Sequence, residues 1–125
     1  MRKFSLILIF ALGLASSSQA KQIVFHSSKL PYDTNTVTCE IILEKATVNK
    51  YAMLNAAVLL MSGKRMGKRC VEVDYIRAFE LLKMGGFHDI VDRKLVTLKT
   101  RADNGHNTSR SWVRKLKKAG YNFKR

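Results

Sequence analysis

The chain has 125 residues, with 23 Lys and Arg against 9 Asp and Glu, a formal charge of +14 and 46% hydrophobic residues. That length holds one small domain and excludes a two-domain enzyme with its own cofactor domain. The apolar fraction excludes disorder throughout, and two cysteines are too few for a disulfide-rich scaffold.

Residues 1–20 read as a secretory signal peptide. Arg2 and Lys3 form a positive start, Phe4 to Ala15 an almost unbroken apolar run, and small Ser18 and Ala20 precede the expected cut. As a helix, twelve apolar residues span about 18 Å, short of the ~30 Å hydrocarbon core of a bilayer. No lipobox cysteine is present, and no second stretch reaches transmembrane length. The expected address is therefore the periplasm, or secretion beyond it. Cleavage after Ala20 leaves Lys21 to Arg125, 105 residues. Residues 21–62 carry 4 basic and 3 acidic groups, whereas residues 63–125 carry 17 and 6. The electrostatic signal lies in the second part.

Residues 21–35 alternate loosely through Ile23 and Phe25 and reach Leu30-Pro31-Tyr32-Asp33, which reads as an extended arm ending at a turn. Residues 36–125 form the expected helical domain. From Asn35 or Thr36 to Thr47, Val37, Ile41 and Ile42 recur at helical spacing. Ile41-Ile42-Leu43 alone also fits a strand, but the Glu44-Lys45-Ala46 continuation favours helix. Asn49 is suited to cap a helix over Lys50 to Ser62, stopped by Gly63. That segment is apolar nearly all round, which predicts the most buried helix. Gly63 to Val71 reads as a basic loop with two glycines. Asp74 opens a helix closed by Gly85-Gly86, with Ala78, Leu81, Leu82 and Gly85 on one face. Asp89 to Ala102 is a further helix with Ile90, Leu95, Val96 and Leu98 as its apolar set. Asp103-Asn104-Gly105 is a strong turn signal. Asn107, Thr108 or Ser109 is suited to cap a last helix, with Trp112, Leu116 and Ala119 as its buried face and Gly120 as its end.

Three helix ends read alike: Leu43-Glu44-Lys45-Ala46, Leu82-Lys83-Met84-Gly85 and Leu116-Lys117-Lys118-Ala119. Steps of 38 and 35 residues separate Ala46, Met84 and Ala119, the period of a two-helix solenoid unit. One helix pair cannot bury its apolar face alone, so such pairs stack. Here the chain resembles the Sel-one-like repeat family, relatives of tetratricopeptide repeats. Leu43 to Gly86 carries the likeness, with Ala52, Ala56, Gly63, Asp74, Tyr75, Ala78, Leu82 and Gly86 at the family's positions. A half unit precedes this stretch and a degenerate unit, Asp89 to Gly120, follows. Met84-Gly85 departs from the usual Ala-Ala, and the last unit lacks the Gly-loop-Asp pattern. The resemblance implies an all-α, short α-solenoid of about five helices in antiparallel pairs. It also implies a protein–protein interaction adaptor or regulator with no shared catalytic residues.

In that arrangement the helix over 50–62 runs back along its predecessor and returns the 63–72 loop to Cys39. Cys70 lies in the loop, so a Cys39–Cys70 disulfide is expected, as export to an oxidising space also favours. It closes a loop that contributes about 3.5–4 kcal/mol in the chain-entropy model.

Catalytic motifs are absent. His26, His88 and His106 show no metal-ligand spacing, there is no H-E-x-x-H, G-x-S-x-G or C-x-x-C, and no metal or cofactor is expected. His88-Asp89 reads as a turn and helix cap before it reads as a general base. Asn107-Thr108-Ser109 fits a glycosylation acceptor only in a eukaryotic secretory pathway. The basic residues form two clusters: Lys64, Arg65, Lys68 and Arg69 in the loop, and Arg110, Arg114, Lys115, Lys117, Lys118, Lys124 and Arg125 on and after the last helix, with no acidic residue from 104 onward. The expected rim for an acidic envelope partner is Lys64, Arg65, Lys68, Arg69, Arg114, Lys115 and Lys118. A second copy is a further candidate partner, since so short a solenoid leaves its ends uncovered. The alternatives are a binder of anionic membrane or cell-wall glycan through the last helix, and a small secreted effector or enzyme using His88 or His106. Export argues against nucleic acid, the usual partner of such charge.

Overall fold

The computed structural model describes residues 29–123. The expected signal peptide, most of the expected arm and His26 lie outside the described residues. Five helices follow in order: α1 (Cys39–Glu44), α2 (Lys50–Ser62), α3 (Tyr75–Met84), α4 (His88–Asp103) and α5 (Asn107–Lys118). A two-stranded hairpin, β1 (Lys64–Arg65) and β2 (Lys68–Arg69), sits between α2 and α3. The fold is mostly helical.

Caps set most of the helix ends. The Asn49 side chain accepts from the Ala52 amide at 2.8 Å, and Gly63 ends α2 in the left-handed region at φ 74°. Asp74 caps α3 by accepting from the Arg77 amide at 3.0 Å. The first helix is shorter than its spacing predicts. The Asp33 carbonyl captures the amides of Thr36 and Val37 at 3.2 and 3.0 Å, so the chain is still turning there, and Thr38 becomes the cap. The described end of the arm is likewise built of turns laid on α2. Leu30 is buried, and the Asn49 side chain donates to the Lys29 carbonyl at 2.7 Å.

The helices pack in succession, α1 on α2, α2 on α3, α3 on α4 and α4 on α5, with α3 also touching α5. The Asp74 amide donates to the Leu60 carbonyl at 2.9 Å, joining the start of α3 to the end of α2. A Cβ on Gly85, beyond the end of α3, would sit 3.5 Å from Met53 near the start of α2. These two helices are therefore antiparallel, and so are α4 and α5. Arg110 Nε of α5 donates to the Ala102 carbonyl at the end of α4, while Phe123, past the end of α5, shares a pocket with Asp92 and Leu95 near the start of α4.

Small Ala56, Ala57 and Ala78 are fully buried, which lets α2 and α3 approach closely. Phe79, Leu82, Leu98 and Leu116 are the largest fully buried side chains, each worth roughly 1.5–3 kcal/mol of apolar burial. Phe79 was not among the expected face of α3. Two faces are rotated from expectation. On α4, Val91, Leu95, Leu98 and Ala102 are buried, whereas Val96 is 60% exposed. On α5 the buried stripe is Ser109, Val113 and Leu116; Trp112 is only partly buried and Ala119 is exposed. Edge-to-face contacts move the seam. Tyr75 of α3 meets Trp112 at 5.4 Å between ring centroids, and Phe79 meets Tyr121 at 5.5 Å. Trp112 thus stands at the α3–α5 boundary and not beneath α5. The cap of α5 is His106, one residue before the expected candidates, because its Nδ1 accepts from the Ser109 amide.

Candidate functional site

The basic loop is a hairpin. Lys64 pairs with Arg69 and Arg65 with Lys68, and Met66-Gly67 form the two-residue turn. Both turn residues have positive φ, 54° for Met66 and 79° for Gly67. Hairpins favour this turn because its twist matches the strands, but they favour Asn or Gly at its first position. A methionine there is strained, and Met66 is 83% exposed. Like charges placed directly across a hairpin also repel, and this hairpin holds two such pairs.

Its base is fastened on both sides. Gly63 accepts at its carbonyl from the amides of Cys70 and Val71 at 2.9 and 3.3 Å. Cys70 is disulfide-bonded to Cys39 at the start of α1, with Cα atoms 6.4 Å apart. No cysteine is free. The hairpin thus combines a pinned base with a strained, exposed turn.

The seven rim cations have different surroundings. Lys64, Lys68 and Arg69 are exposed. Arg65 is half-buried, donates through Nη2 to the Thr34 carbonyl, and lines a groove of about 200 Å³ with Asn55 and Val58. Beside it the Asn55 amide donates to the Tyr32 hydroxyl at 2.6 Å. Burial raises the Tyr32 pKa, opposed by that hydrogen bond and by the Arg65 charge.

On α5, Lys115 lies over the Trp112 ring at 4.5 Å and faces a groove of about 430 Å³ shared with Val71, Asp74 and Arg77. Arg114 points to the other flank, into a groove with α4. Lys118 is exposed. The structure therefore gathers Lys64, Lys68 and Arg69 on one hairpin, gives Arg65 a structural bond, and divides Arg114 from Lys115. The stripe Arg110, Arg114 and Lys117, which the rim omits apart from Arg114, was legible from its helical spacing.

Among the described residues the ion pairs are Arg93–Asp89 and Lys99–Asp103, both within α4. No rim cation has a carboxylate partner among these residues. His88 is the exposed first residue of α4. His106 Nδ1 and Ser109 Oγ are 2.6 Å apart, a nucleophile–base distance, but Ser109 is 2% exposed and the pair closes the α5 cap. Among the described residues no group of three or more His, Cys, Asp or Glu is placed to hold a metal ion, and no helix is long and apolar enough to cross a membrane.

No protein-family model matches this chain, and no curated protein or solved structure matches it.

Proposed function

We propose that this is an exported, non-enzymatic helical-repeat adaptor that docks an acidic protein partner in the envelope through its basic hairpin. The observation that carries the reading is the hairpin itself. Two like-charged cross-strand pairs surround an exposed, strained Met66, on a base held by the Cys39–Cys70 bond. A sequence that departs from local rules at one exposed place does so where function compensates. Acidic side chains would relieve the repulsion, and a small apolar recess would take the methionine. The disulfide fits an oxidising compartment. The up-and-down order of α2 to α5, with α3 lying beside α5, supports the repeat resemblance.

The membrane alternative is weaker. Val113 and Leu116 of α5 are buried in the core, so they are not available to lie in a bilayer. The test is affinity capture from envelope extract with the mature, oxidised chain, eluted by a salt gradient, beside Lys64→Glu/Lys68→Glu. Capture of one acidic protein, lost in the charge-reversed variant and released early by salt, supports the reading. Equal capture by both chains, or co-sedimentation with anionic vesicles and no protein capture, overturns it.

A further inference from the structure

We propose that the groove between α4 and α5 is a binding site for a diphosphate-class oxyanion. The groove measures about 350 Å³ and is lined by Lys99, Asp103, Arg110, Val113, Arg114 and Lys117. It shares no residue with the hairpin, so it stands apart from the docking reading.

Its charge is uncompensated. Arg110, Arg114 and Lys117 are four and three residues apart, so they form one stripe along α5. Like charges at these spacings repel, and α5 contains no carboxylate. The one acid lining the groove, Asp103, is already engaged. Both of its oxygens accept from Lys99 Nζ at 2.8 Å. Among the described residues, no ion pair includes any of the three α5 cations.

The groove is also partly organised. Arg110 Nε donates to the Ala102 carbonyl at 3.2 Å, at the negative end of the α4 dipole. That bond holds the guanidinium and leaves both terminal nitrogens for a ligand. Val113, 7% exposed, forms the apolar wall. A guanidinium presents a fork that matches oxyanions by two parallel hydrogen bonds, and an ammonium adds a point charge.

Length selects the class of anion. From Arg110 to Lys117 the stripe runs about 10 Å along the helix axis, at 1.5 Å per residue. A single phosphate meets all three cations only if their side chains converge on one point. Two linked phosphoryl groups offer terminal oxygens at both ends. The source is either a free diphosphate or the headgroup of a lipid diphosphate.

The test uses the mature, disulfide-bonded chain and inorganic pyrophosphate, followed by amide chemical shifts. Saturable shifts at Val113 and Arg114 are expected, with affinity falling about tenfold or more in Arg114→Gln/Lys117→Gln. Arg110→Lys, which keeps the charge and loses the fork, is expected to weaken binding several-fold. Lys64→Gln/Lys68→Gln is expected to leave it unchanged. Thermal unfolding checks that each variant is folded. Absence of saturation at millimolar pyrophosphate, or equal weakening by the hairpin variant, overturns the proposal. Phosphatidylcholine vesicles doped with farnesyl diphosphate distinguish the sources: tighter binding than to free pyrophosphate assigns a lipid headgroup, and no gain assigns a soluble diphosphate.

Discussion

Arg65 donates through its guanidinium to the backbone carbonyl of Thr34, tying the basic hairpin to the turn that precedes α1. A residue counted among the surface cations therefore holds two chain segments together. Removing it leaves a carbonyl unpaired and loosens the turn laid on α2. Arg65→Ala is expected to lower stability by about 1.5–2 kcal/mol, the low end for a hydrogen bond from a charged donor, because the site is only half-buried. Urea denaturation checks this. Lys68→Ala, at an exposed site, is expected to leave the midpoint unchanged or slightly raised, because it relieves the repulsion with Arg65, and to weaken partner capture more.

The disulfide constrains the unfolded chain over a separation of 31 residues. Reduction, or the double substitution Cys39→Ala/Cys70→Ala, is expected to remove about 3.5–4 kcal/mol. Chemical denaturation with and without reductant measures the loss. Because the same bond pins the hairpin base, partner capture is expected to fall even under conditions where the reduced protein remains folded.

Met66 and Gly63 both have positive φ and predict opposite outcomes. At Met66 an asparagine adopts the left-handed conformation more easily, so Met66→Asn is expected to raise stability by up to about 1 kcal/mol. It should also weaken docking by removing the apolar tip. At Gly63 a Cβ would lie 3.0 Å from the Val71 carbonyl oxygen and 3.1 Å from Val73 Cγ2, at φ 74°. Gly63→Ala is expected to cost at least about 1–2 kcal/mol. Thermal melts of the two variants, moving in opposite directions, check both expectations.

Lys94 of α4 is half-buried, and its pKa is lowered from 10.5, chiefly by burial and further by the Arg101 charge. Between the folded pKa and 10.5 the unfolded chain holds a proton that the folded chain has lost, so stability from this group rises with pH across that window. Below the window the charged form is held at a disadvantage in the fold. Lys94→Met is therefore expected to be more stable than wild type at pH 7, with the advantage shrinking as pH climbs toward 10.5. Tyr32 and Tyr75, both raised by burial, titrate alike in the two proteins and cancel in the difference. Urea titrations at neutral and alkaline pH measure it.

Legibility followed the range of each signal. Asn49 and Gly63 bound α2 as written, because a cap acts on backbone groups within one turn of itself. Asp74 did the same for α3. The hairpin is not legible in the sequence, since Met66-Gly67 lacks the Asn-Gly or Asp-Gly signal that usually marks such a turn. Spacing alone does not fix the face of α5, because Trp112, Leu116 and Ala119 satisfy helical periodicity as well as Ser109, Val113 and Leu116 do. The hydroxyl of Ser109, a polar residue in sequence, is satisfied by His106 in the fold.

The sequence by itself determined where most helices start and stop, that two cysteines pair, and that the cations crowd into two stretches. These follow from local hydrogen bonding, from composition and from the return of one helix along another. The tertiary structure alone decided which cations share a surface. Neighbouring residues on a helix point about 100° apart, so Arg114 and Lys115 part to opposite flanks once α3 and α4 take their places beside α5. The same packing turned Arg65 inward and set Arg110, Arg114 and Lys117 along one groove. A residue's charge is written in the chain, but its neighbours across space are assigned by packing.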